Sequence, residues 1–220
     1  MKKNIIKKIF IKLSKILNFE LIDQSNFNSP TLEKELNEDL SVINNKSIVL
    51  PLGEVKITKK VSSILIIFRT NTEVEIWDQN KKRLFEQPKI QYSLRALNSL
   101  IKSVKFSKNK YPNIKFKTII VDDKSKEENL SKIKKLIDTS GLDMSITTID
   151  HEKYENVIKQ QKNHQTFSNL ASLMKSFELA KKIGEDLIFF VEDDYLHFEP
   201  MMEEMIASYE RISSQVNKDI

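Results

Sequence analysis

Asp186-Leu187-Ile188-Phe189-Phe190-Val191-Glu192-Asp193-Asp194 carries five apolar residues directly into three acids. A short unbroken apolar run of this kind reads as a strand buried on both faces of a parallel sheet. Three neighbouring carboxylates beside apolar surface repel one another and are costly to keep ionised. A hard divalent cation with oxygen ligands is the expected partner for such a strand tip.

Working outward, the same alternation of apolar runs and helical spacing recurs upstream. Residues 63–68 (Ser-Ile-Leu-Ile-Ile-Phe) and 116–121 read as strands, and 143–149 as a weaker one. Helices are expected over 91–104, 127–139 and 167–183, with Gly141 and Gly184 as their stops, and over 200–215 after the last strand. Strands alternating with helices give parallel crossover units, so the fold class is α/β, a mostly parallel sheet with helices on both faces. Ligands of such sheets bind beyond the carboxyl ends of the strands. Three polar tips fall there: Arg69-Thr70-Asn71, Asp122-Asp123 with Ser125, and Glu192-Asp193-Asp194. The connection 71–88, with Trp77, Asp78, Lys81, Lys82 and Arg83, is long for a strand-to-helix link and is expected to cover a ligand.

Three regions divide the chain: 1–22, 23–60 and 61–220. In the first, Ile5, Ile6, Ile9, Phe10, Leu13, Ile16 and Leu17 share a helical face, with Lys2, Lys3, Lys7, Lys8, Lys12 and Lys15 largely around the other. That pattern fits a helix lying in a membrane interface, and it equally fits one packed on its own domain; the lysines favour an anionic membrane surface. Lysines interrupt every turn, whereas a span needs about 20 apolar residues, and there is neither an unbroken apolar core nor a cleavage site for a secretory signal. The second region is a turn-rich segment, a helix over 30–42 and a connector with a short strand over 48–50.

Composition narrows the function. The 220 residues are 40% hydrophobic, enough for one full core. Without cysteine there is no disulfide framework or thiolate metal site, which fits a reducing compartment. His151, His164 and His197 form no paired zinc motif. The net charge of +5 comes from 36 basic residues scattered among 31 acidic ones, so no nucleic-acid partner is implied.

The order of these parts resembles the GT-A glycosyltransferases of the family 2 type. The residues carrying the resemblance are 64–71, then Val121-Asp122-Asp123-Lys124-Ser125, then the segment from Gly184 to Asp194; it covers about 62–199. The resemblance implies that Asp122 or Asp123 accepts a hydrogen bond from a nucleotide base, that Arg69, Thr70 and Asn71 line the nucleoside and diphosphate pocket with Ser125, and that Asp193 stands beside the donor. It further implies that Asp194 and Glu192 hold Mn²⁺ or Mg²⁺ against the diphosphate. The donor would be a nucleotide-diphosphate sugar and the acceptor a glycan or glycolipid, in surface polysaccharide assembly at the cytoplasmic, inner face of a membrane. Two departures stand out: Lys124 replaces the usual glycine, and Glu-Asp-Asp replaces Asp-x-Asp. The chain also stops 26 residues after Asp194, so a fragment without the acceptor half is expected. Glu199, Glu203 and Glu204 read as surface residues rather than as a catalytic base.

Two rival readings differ in class. A receiver-type signalling domain would use Asp122 and Asp123 at a first strand to bind Mg²⁺, and leaves 63–68 unexplained. A non-catalytic, membrane-peripheral fragment would keep the fold without the transfer.

Overall fold

The computed structural model describes residues 9, 10, 12–14, 16, 17, 56–74, 84–158 and 164–220. The chain falls into two compact units, Met1–Ile57 and Thr58–Ile220. In the first, residues 9, 10, 12–14 and 16 are helical (α1), with Leu17 N–H bonded to the Leu13 and Ser14 carbonyls. The expected helix over 30–42, the strand over 48–50 and the side chains Trp77, Asp78, Lys81, Lys82 and Arg83 lie outside the described residues.

The second unit is α/β. Its strands are β1 (Ser63–Thr70), β2 (Lys115–Asp122), β3 (Met144–Thr148) and β4 (Leu187–Glu192), all parallel and in the order β3-β2-β1-β4. Between and after them run α2 (Lys89–Lys110), α3 (Glu127–Ser140), the short α4 (His151–Glu155), α5 (His164–Ile183) and α6 (Met201–Val216). Strand alternation sorts the core into two layers. Ile64, Ile66 and Phe68 of β1 join Leu97, Leu100 and Val104 of α2, Ile133 of α3, and Met202 and Ile206 of α6. Leu65 and Ile67 face the other way, with Ile119 and Val121 of β2, Tyr154 of α4 and Ala171 of α5. Ile66, Ile67 and Phe68 are fully buried, each contributing about 1.5–3 kcal/mol of transfer free energy.

Helix ends follow local chemistry. Gly141 closes α3 at φ 70°, the left-handed region where a side chain is penalised. At Gly184, after α5, a Cβ would sit 2.5 Å from the Ala180 carbonyl oxygen and 2.7 Å from Ile188 Cδ1, so only glycine lets the chain turn this closely into β4.

One expectation is corrected. The run 187–191 is an edge strand rather than one buried on both faces: β4 pairs with β1, and no strand flanks its other side among the described residues. Leu187, Phe189 and Val191 pack on the α2 layer, while Ile188 and Phe190 are each 40% exposed. Phe190 instead meets the exposed Phe177 of α5 edge to face, with ring centroids 5.3 Å apart. An apolar run does not by itself distinguish a central strand from an edge strand half covered by one helix.

The strand order also decides between rivals. A receiver-type sheet built on β2 as its first strand would place β4 next to β2. Here β1 separates them.

Candidate functional site

The carboxyl ends of β2, β1 and β4 lie side by side, and Thr70 at the tip of β1 joins its neighbours. Its carbonyl accepts the Asp123 N–H at 3.0 Å, and its hydroxyl donates to Asp193 Oδ2 at 2.8 Å. The acidic tips, 70 residues apart in sequence, therefore flank one residue. The strand order reverses between β1 and β4, so the crevice opens at the tip of β1.

Alternation then sends successive side chains to opposite faces. On the α2 face stand Thr70, Asp122 and Asp193. Asp193 is buried and accepts from Thr70, from Ser93 Oγ at 2.6 Å and from Lys89 Nζ at 2.6 Å. Asp122 is buried as well: Oδ2 accepts the Ser125 N–H at 3.1 Å, while Oδ1 has no hydrogen-bond partner among the described residues. Burial raises the Asp122 pKa, and the nearby Asp123 and Asp193 charges push it further up against the lowering bonds from Ser125.

On the α5 face stand Arg69, Asp123 and Glu192. Arg69 pairs with Glu192, its neighbour in the β1–β4 register, and donates to Asn169 Oδ1 at 3.0 Å. The Asp123 carboxylate meets His151 Nε2 at 2.5 Å on Oδ1 and accepts from Asn71 Nδ2 at 3.3 Å and from Ser168 Oγ on Oδ2. His151 leans on Phe167, with ring centroids 5.5 Å apart. Ser125 has a scaffolding part too, since its hydroxyl accepts the Thr72 N–H at 3.0 Å and so ties the segment after β1 to the start of α3.

Lys124 sits at φ 58°. The backbone there takes the left-handed conformation, at a cost of about 1–2 kcal/mol for a residue with a Cβ.

The acidic triplet is differently disposed from the expectation. Glu192 and Asp193 project to opposite faces, each against its own cation, so their mutual repulsion no longer calls for a metal. Asp194 is exposed, with no partner among the described residues. Among those residues no group of three or more His, Cys, Asp or Glu side chains is placed to hold a metal ion. A divalent cation here would take Asp194, the exposed acid of the triplet, as a protein ligand and leave most of its positions to oxygens other than these side chains, a mode usual for Mg²⁺; Glu192 pairs with Arg69 through one oxygen and has its second left to offer. His197 does not belong to the site. Its ring packs on Phe189, its backbone N–H bonds Ser99 Oγ, and burial lowers its pKa.

Lys89, Ser93, His151 and Ser168 are site residues that sequence reasoning did not assign. They come from helices whose local pattern signals only packing.

No family model matches the chain, and no curated protein matches it. Among solved structures it is similar to two of S. aureus TarS. One, of residues 1–349, is 17% identical with TM-score 0.38, covering 66% of this chain and 31% of that one. The other is 18% identical with TM-score 0.36, covering 67% and 19%. The chain thus spans less than a third of either, and the functional reading rests on its own residues.

One consequence of this geometry concerns pH. A carboxyl with a raised native pKa contributes stability that is complete below its unfolded value and is lost as pH rises through the native one. Asp122→Asn, whose amide oxygen still accepts from Ser125, is expected to remove that loss. Urea midpoints measured from about pH 4 to pH 8 check it: the variant gains on the parent as pH rises. A gap that narrows toward pH 8 contradicts the assignment.

Proposed function

We propose that the Thr58–Ile220 unit binds a nucleotide-diphosphate sugar across the tips of β2, β1 and β4, and that the protein transfers the sugar to a glycan or lipid-linked acceptor. The observation that carries this reading is the position of Thr70, bonded to both acidic tips at the strand-order reversal. A carboxylate has about four acceptor positions; three at Asp123 are engaged, and the fourth takes an N–H of the base. Asn71 and Ser168 hold that carboxylate in place. Arg69 exchanges Glu192 for the diphosphate, where a guanidinium can bind two oxygens at once. Asp194 is the carboxylate assigned to Mn²⁺ or Mg²⁺, which when bound offsets the charge that grows on the departing diphosphate. Asp193 is assigned to holding the β4 turn against α2 rather than to the ligand.

Calorimetric titration of nucleoside diphosphates, one at a time with and without Mn²⁺, tests the reading. One of them is expected to bind, more tightly with the metal. Asp194→Ala is expected to weaken binding by about tenfold or more with Mn²⁺ present and to change little in its absence. Heat from none of the nucleotides, or an Asp194→Ala effect that is independent of metal, removes the donor site.

A further inference from the structure

None of the residues assigned to the proposed donor site lies on α1. Ile9, Phe10, Leu13, Ile16 and Leu17 are large apolar residues 52–78% exposed on a helix. At 100° per residue they lie within one side of the helix, with Lys12 beside that side; the first fifteen residues of the chain carry six lysines, Lys2, Lys3, Lys7, Lys8, Lys12 and Lys15. An exposed apolar band within a lysine-rich stretch of chain matches a surface that is apolar inside and anionic at its rim. Among the described residues no helix is long and apolar enough to cross a membrane.

We propose that α1 lies in the interface of an anionic lipid bilayer, its apolar stripe among the acyl chains and Lys12 at the headgroups. The two attractions are separable, because acyl burial is insensitive to salt whereas the lysine contribution is screened within a Debye length. The inference is independent of the donor site, so failure of either leaves the other standing.

The test is co-sedimentation of the full chain with phosphatidylcholine vesicles, with and without phosphatidylglycerol, across a salt series. Binding is expected only with the anionic lipid and falls as salt rises. Lys12→Gln is expected to weaken it about fivefold, and Leu13→Asp to abolish it. Far-UV circular dichroism and the urea midpoint of each variant verify that the Thr58–Ile220 unit is unchanged. Protein left in the supernatant, equal binding to neutral vesicles, or Leu13→Asp binding like the parent overturns the proposal. So does a lipid-free dimer of the parent that Leu13→Asp dissociates, since the stripe would then be a self-association face.

Discussion

Replacing Asp193 by alanine is expected to cost about 3–5 kcal/mol of folding stability. The carboxylate is buried and is the shared acceptor for Lys89, Thr70 and Ser93. Removing it leaves an ammonium whose side chain is 15% exposed without its counter-charge, together with two hydroxyls short of an acceptor. Loss of one member of a buried pair is far more damaging than loss of both. The double variant Asp193→Ala/Lys89→Met is therefore expected to recover much of the loss, a coupling that a double-mutant cycle measures directly. In urea, the single variant's midpoint falls by about 2 M at a slope usual for a domain of this size. A shift within about 0.5 kcal/mol, the range of ordinary surface substitutions, would mean that Asp193 is free to serve a ligand.

The second large effect is at Asp123. Asp123→Ala strips the acceptor from His151, Ser168 and Asn71 together, an expected loss of about 2–3 kcal/mol, and it takes away the group assigned to the base. Nucleotide binding and stability should fall together. Asp123→Asn separates them, because one oxygen still accepts while the amide N–H₂ confronts the remaining donors. It is expected to keep more of the stability than alanine does while losing the nucleotide. If Asp123→Asn binds nucleotide as the parent does, the base contact lies elsewhere, and calorimetry on the folded variant decides the point.

The strands and long helices could be read from sequence because each carries its own period. Apolar runs bounded by polar tips located β1, β2 and β4, and Gly141 marked the end of α3. Where the period is interrupted, the reading fell short. The helix expected over 91–104 continues to Lys110, because Ser103 and Ser107 occupy its buried face and small hydroxyl residues do not register as apolar. The five-residue α4 and the 3-10 turn Leu84–Glu86 are too short to show a period.

The site was legible in part for a related reason. Acids at strand tips announce themselves, and Thr70, Asp122, Asp123 and Asp193 do meet. Their neutralising partners do not: Lys89 lies 104 residues from Asp193 and His151 lies 28 from Asp123. Counting charges along the chain gave the triplet a repulsion that Arg69 and Lys89 cancel in space. Inference from clustered carboxylates to a cation holds only while no basic side chain reaches them.

The outer side of β4 bears on how the protein behaves in a tube. Among the described residues no strand pairs with the outer backbone edge of Leu187–Val191, a β-prone segment without a lysine or proline to discourage pairing. Tyr195, Leu196 and Phe198 stand exposed just beyond it. Buffers near the isoelectric point of about 9.1 are the ones to avoid, because they erase the net charge that keeps molecules apart.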